Sequence, residues 1–85
     1  MGEIEIGIVR NYFSKIGVGA IEIMDGELSI GDTVHIKGTT TDFVSTVESI
    51  QVEHQTVDNA KKGDLVGIKF SEKVREHDTL FKVTE

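Results

Sequence analysis

An aromatic pair beside a cation, Tyr12 and Phe13 followed by Lys15, is the combination in this sequence best suited to gripping a nucleobase. Each ring offers a face on which a base can stack, and the lysine offers attraction for a neighbouring phosphate. A plainer reading stands beside it, in which Phe13 caps the end of a β-barrel. Lys61 and Lys62, just before Gly63, are a second basic point, either a phosphate contact or a solvated loop tip. Other chemistry is harder to assemble. His35, His54 and His77 are too scattered to suggest a metal by spacing, and neighbouring strand residues such as Glu53 and His54 point to opposite faces. No serine, histidine and acid can be singled out as a triad. Cysteine is absent, which removes disulfides and thiolate metal sites. No G-x-x-x-x-G-K-[ST] loop is present to cradle phosphates, so the chain is expected neither to bind nor to hydrolyse GTP. The expectation is therefore a protein with no catalytic residues, no metal and no cofactor.

Composition narrows the setting. Eighty-five residues fit one domain, expected to span residues 1–85. Its hydrophobic share of 38% is ordinary for a folded soluble chain, which argues against disorder. Aromatics are few, so the core must come mainly from isoleucine, valine and leucine, a bias that favours strands. The N-terminal residues lack the basic and apolar regions of a signal peptide, and no apolar run approaches a membrane span. A soluble, cytoplasmic protein with no membrane contact is expected. A net charge of -6 disfavours wholesale coating of nucleic acid. The charge is uneven: residues 1–60 carry three basic against ten acidic side chains, residues 61–85 six against five.

The elements that must position these residues read as strands. Ile4 to Ile8 alternates with period two, and a second strand runs from Ile16 to Ile23. Its apolar set changes parity between Ala20 and Ile21, which implies a bulge or bend. Gly17 and Gly19 mark a place where backbone bends or comes close to a neighbour. Beyond the Asp25-Gly26 turn, Leu28 to Ile30 leads into Gly31-Asp32, after which Val34 and Ile36 face one way and His35 the other. Phe43 to Glu53 reads as one long bent strand, Thr56 to Lys62 as room for a single helical turn, and Gly63-Asp64 as the next turn. Val66, Ile68 and Phe70 point inward, and a last strand, Asp78 to Val83, places Phe81 and Val83 on one face. No helical pattern of ten residues occurs anywhere. A closed barrel is expected, because open sheet edges invite aggregation.

Three ordered segments carry a resemblance. Ala20 to Ile36 joins a strand, a glycine turn and apolar-x-apolar-Gly-Asp before another strand; Val47 to His54 forms a central strand; Ala60 to Ile68 reads Ala-x-x-Gly-Asp-x-Val-Gly-apolar. Together they resemble the second, β-barrel domain of elongation factor Tu and its translational relatives. Val74 to Leu80 is similar to that domain's closing turn, with His77 where glycine is usual. The resemblance implies an all-β fold, a closed six-stranded Greek-key barrel of the translation-factor domain 2 type. In it Gly31, Asp32, Gly63 and Asp64 serve as structural turns.

For function, the resemblance implies a non-catalytic binding module contacting RNA, the ribosome or a translation-related protein. In such relatives the barrel holds the acceptor end of tRNA: Gln51 falls where an acidic residue lines the terminal-adenosine pocket, and Ser14-Lys15-Ile16 matches a basic loop. Tyr12, Phe13, Lys15, Gln51, Lys61 and Lys62 are then expected to converge at one end of the barrel. The acidic balance supports a second reading, a protein-interaction module that serves a partner enzyme as an accessory domain on a separate chain.

Overall fold

The computed structural model describes residues 2–84, and all regular structure in it is β. Ten strands follow in order: β1 (Gly2–Phe13), β2 (Val18–Ile23), β3 (Glu27–Ser29), β4 (Thr33–Lys37), β5 (Asp42–Thr46), β6 (Ile50–Val52), β7 (Gln55–Val57), β8 (Asn59–Lys61), β9 (Leu65–Lys69) and β10 (Thr79–Thr84). Eight of them form one antiparallel sheet in the order β5-β4-β10-β1-β2-β9-β6-β7, and β3 pairs with β8 in a small second sheet. Among the described residues no helix is long and apolar enough to cross a membrane.

The expected alternation builds the core. Ile21 and Ile23 of β2, Val34 and Ile36 of β4, Val66 and Ile68 of β9 and Leu80 of β10 are all at most 2% exposed. Each such aliphatic side chain contributes about 1.5–3 kcal/mol on leaving water. Phe70 is the one buried aromatic, packed edge to face on the half-buried Phe43 with ring centroids 6.1 Å apart. On β10 the inward residue is Leu80; Phe81 and Val83, expected together on one face, both lie half-buried on the opposite one.

β1 is far longer than the expected Ile4–Ile8, because it pairs β10 with its first half and β2 with its second. Two register shifts, one at Ile6 against β10 and one at Arg10 against β2, let one strand serve both partners. The expected irregularity near Ala20 is thus real but lies on the other strand: β2 alternates regularly, with Gly19, Ile21 and Ile23 inward, and the extra residue is Arg10. Gly19 does meet a close neighbour, since a Cβ there would press on the Phe70 ring at 2.8 Å.

Two expectations fail. The Thr56–Lys62 segment holds no helical turn; it forms β7 and β8, and Ala60 is buried opposite Leu28. The sheet is also not a closed six-stranded barrel. Phe43 to Glu53 is not one strand but two, interrupted at Val47. There Val47 N–H donates to Asp32 C=O at 2.9 Å, and Gly31 N–H donates to Val47 C=O at 2.8 Å. With both groups of Val47 taken by the turn before β4, β5 stays on β4 while β6 crosses to β9. No strand pairing joins the β5 edge to the β7 edge.

Three turns share one construction. Ser29 N–H donates to Asp32 Oδ2 at 2.8 Å, Lys61 N–H to Asp64 Oδ2 at 3.1 Å and Arg75 N–H to Asp78 Oδ2 at 2.9 Å. In return the aspartate N–H donates to the carbonyl of the same residue in each turn, at 3.1, 2.9 and 3.2 Å. The residue before each aspartate has positive φ: Gly31 at 94°, Gly63 at 97° and His77 at 72°. Glycine adopts that conformation freely; a residue with a Cβ does so at a cost of about 1–2 kcal/mol. A Cβ on Gly31 or Gly63 would meet nothing within 4 Å, so the cost there is backbone strain alone. Replacing Gly31 or Gly63 with valine should therefore destabilise the chain by about 1–3 kcal/mol. His77→Gly should stabilise it by about 1 kcal/mol. Urea denaturation measures both, and equal midpoints for His77→Gly and the parent would show the third turn to be unstrained.

Candidate functional site

The six residues expected to converge do so only in part. Phe13 ends β1 and leads into the turn that carries Lys15, where Gly17 N–H donates back to Phe13 C=O at 2.9 Å. Lys61 and Lys62 lie at the opposite end of the β2–β9 pair, where Gly63 N–H donates to Ile23 C=O at 2.8 Å. The antiparallel register explains the separation: Val18, next to the Phe13 turn, pairs with Lys69, whereas Glu22 pairs with Leu65 beside the Lys61–Asp64 turn. Five residues of strand, on the order of 15 Å, stand between the two basic points. Tyr12, Phe13 and Lys15 stay together, lining one pocket with Ser14 and Ile16. A second surface belongs to Tyr12, which is half-buried against the core and whose exposed side borders a cleft with Asn11, Lys73, Arg75 and Glu76. Phe13 is 48% exposed.

Phe13 also meets Gln51. Both line a shallow groove across the outer face of β2, β9 and β6, floored by Ala20 and Gly67, which pair directly. Ile16 and Leu65 complete its walls at 62% and 57% exposure. Three of the chain's large exposed hydrophobic side chains, Phe13, Ile16 and Leu65, thus share one surface, which is the arrangement of a contact site rather than of scattered exposure. Glu53 and His54 form the rim. They are the two turn residues of the β6–β7 hairpin, with φ of 50° and 67°, a pairing usually left to Asn-Gly. The outward phase of Leu65 was readable from the alternation Val66, Ile68, Phe70. Its meeting with Phe13 and Ile16 was not, because only the β2–β9 register brings them together.

A second cluster lies on the outer face at the other side of the sheet. His35 of β4 sits between two carboxylates, donating from Nδ1 to Glu3 Oε2 at 2.6 Å and from Nε2 to Asp42 Oδ1. Two carboxylate acceptors require a proton on both ring nitrogens, so this geometry is that of the imidazolium. The hydrogen bond to Asp42, then that to Glu3, raises the His35 pKa above its ordinary value, and the His35 bond lowers that of Asp42. The trio ties β1, β4 and β5 together across β10. Among the described residues no group of three His, Cys, Asp or Glu side chains is placed to hold a metal ion. Arg10 and Glu22 form a further pair, Arg10 Nε donating to Glu22 Oε1 at 2.7 Å, both well exposed and so worth little to stability.

The His35 trio has a definite pH signature. Because His35 is raised in the folded state, its contribution is full below the unfolded histidine value of about 6.5 and is lost as pH rises through the folded value. Asp42 is lowered, so its contribution is full above about pH 4 and is lost as pH falls through its folded value. The stability gap between the parent and His35→Gln should be widest between about pH 4 and 6.5 and should narrow on either side. Melting temperatures measured from pH 3 to 9 test this, and a gap that stays constant would rule out the charged trio.

Comparison with known proteins changes the functional frame. No protein-family model matches the chain. It is 44% identical over 84 residues, 98% of its length, to an uncharacterized protease of Methanocaldococcus jannaschii. It is 44% identical over 81 residues and 47% identical over 78 residues to two collagenases of Porphyromonas gingivalis, matches covering 94% and 91% of its length. The chain spans only about one fifth of the length of these curated relatives, between 20% and 22%. Among solved structures it is similar to the C-terminal domain of a Geobacillus thermoleovorans protein assigned to the U32 peptidases. Two structures of that domain, one a selenomethionine variant, give TM-scores of 0.88 and 0.84 at 20% identity. They cover 95% and 89% of this chain and 93% and 95% of their own, which shows a shared fold.

These findings correct the translation-factor assignment. The relatives are a protease and collagenases, and the structural neighbours are peptidase C-terminal domains, so the chain is not placed with elongation factors. The role of a translation-factor module contacting RNA or the ribosome falls with that assignment. A module serving a partner enzyme fits the relatives better.

Proposed function

We propose that this chain is a non-catalytic accessory domain of a peptidase of the U32 type, with bond cleavage carried out by parts of such proteins that lie outside it. One observation carries the reading: identity of 44–47% runs through nearly the whole chain, yet it spans only about a fifth of each protease or collagenase it matches. A segment of that size holds a domain and leaves four fifths of the relative for the catalytic part. The C-terminal domain structures, which adopt the same fold as separate polypeptides, support an independently folding unit.

The physical properties suit this role. The core is continuous and aliphatic, and the groove lined by Phe13, Ile16 and Leu65 offers apolar surface for contact. Substrates and partners named for the relatives belong to those proteins; for this chain the proposal is assistance to peptide cleavage.

The test removes the equivalent segment from the Methanocaldococcus jannaschii relative and assays the shortened protein beside the intact one. A short peptide and a large protein substrate are both used. Cleavage of the short peptide should persist, and turnover of the large substrate should fall, while the purified 85-residue chain alone should cleave neither. Unchanged activity on both substrates after removal, or hydrolysis by the chain alone, would overturn the accessory role.

A further inference from the structure

The eight-stranded sheet leaves two strands with one side unpaired, β5 and β7. They are not equal. β7 is three residues long and follows a turn in which both residues have positive φ, so it offers little to a further strand. β5 has five residues, no proline and no bulge, and its register against β4 is unbroken from Thr33↔Thr46 to Lys37↔Asp42. Natural edges are commonly protected by proline, an outward lysine, a bulge or a covering element. Among the described residues the β5 edge has no proline, no bulge and no strand paired over it; its one charged side chain, Asp42, bonds to His35, and Lys69 lines the cleft beside it.

Two hydrogen bonds fix which backbone groups of β5 are free. Gly38 N–H donates to Thr41 C=O at 2.7 Å, and Val47 N–H donates to Asp32 C=O at 2.9 Å. In an antiparallel pair, residues that exchange bonds alternate with residues that do not. The pairs 38–41 and 32–47 therefore place Phe43 and Ser45 in the bonded phase toward β4. Asp42, Val44 and Thr46 turn their N–H and C=O groups the other way, away from the sheet. Val44 is 58% exposed, and an open cleft beside this edge is lined by Ser45, Glu48, Ser49, Lys69, Phe70 and Ser71.

We propose that the β5 edge binds an extended, proline-poor, cationic peptide segment as an added antiparallel strand. The inference rests on the peptidase reading, and within it the bound segment is polypeptide substrate held for cleavage elsewhere. A row of donors and acceptors repeating every second residue is matched by an extended backbone and by little else. Charge selects the sign: Glu48 borders the edge and the whole chain carries -6, while Asp42 is already paired with His35 and Lys69 of the cleft offsets part of the acidic field. The same charge opposes a second copy, because pairing two β5 edges would bring two such acidic chains together.

The experiment is an NMR titration of the 85-residue chain with a soluble peptide of alternating valine and threonine, flanked by lysines. Binding should slow hydrogen exchange at the amides of Asp42, Val44 and Thr46 and leave Phe43 and Ser45 unchanged, since the latter already bond to β4. Val44→Pro removes one outward N–H and no bond to β4, so it should keep the fold by circular dichroism and weaken binding by about tenfold or more. Val44→Thr should bind as the parent does. Three outcomes would overturn the proposal: no saturable shift at millimolar peptide, protection spread equally over all five β5 amides, or concentration-dependent pairing of the chain with itself at this edge. Removal of the segment from the relative tests the peptidase reading separately. If that reading stands and the titration fails, substrate does not use this edge; if binding occurs and the reading fails, the edge binds peptide in another setting.

Discussion

The carboxylates of Asp32, Asp64 and Asp78 decide where three of the strands begin. Each accepts the N–H of the residue three positions earlier, and each aspartate N–H returns a bond to the same residue's carbonyl. The closed loop of two bonds fixes the direction in which β4, β9 and β10 leave their turns. Direction matters here because the core is mainly aliphatic, with Phe70 its one buried aromatic among the described residues. If β9 entered one residue out of phase, Val66 and Ile68 would face water and Leu65 and Gly67 would face the core. The turns thus set the phase that makes burial possible, and burial then supplies most of the stability.

The same turns explain why the sheet stays open. Gly31 and Asp32, besides closing their own turn, take both backbone groups of Val47. That use ends β5 and frees the chain to cross toward β9, which removes the strand that would have sealed the barrel. An open edge is a hazard in a chain meant to stay apart from its neighbours. A net charge of -6 opposes edge-to-edge pairing of two copies of this chain.

Much of the fold was legible in the sequence because strands and turns announce themselves locally. The inward phases of Val34, Ile36, Val66 and Ile68 followed from alternation, and Gly31-Asp32 and Gly63-Asp64 from turn chemistry. The failures have long-range causes. Val57 and Ala60 stand three apart, which mimics a helical turn, but Ala60 is claimed by Leu28 more than thirty residues away. The parity change near Ala20 was visible, yet a sequence cannot say which of two paired strands carries the extra residue. The expected convergence is incomplete for the same reason. Tyr12, Phe13 and Lys15 are neighbours in the chain, but Lys61 and Lys62 fall at the far end once β2 and β9 run antiparallel. The groove that does form needs Phe13, Ile16 and Leu65, whose meeting depends on pairings across the sheet.

The translation-factor resemblance misled about function for a physical reason that the turns make clear. Its quoted segments were mainly Gly-Asp turns and the apolar strands leaving them, residues whose roles are to hold φ above zero, to close a hydrogen-bonded loop and to fill a core. Any small antiparallel domain that solves the same register problem can use them, whatever it binds. His77 illustrates the point. It departs from glycine at the third turn, pays strain for doing so, and still keeps the same bonds through Asp78. What separates one such domain from another is the surface around those shared turns. On this chain it consists of an apolar groove at Phe13, Ile16 and Leu65 and an unpaired edge at Asp42, Val44 and Thr46. Both surfaces are open to solvent, unlike the core that the turns organise, and so are available to what the domain contacts.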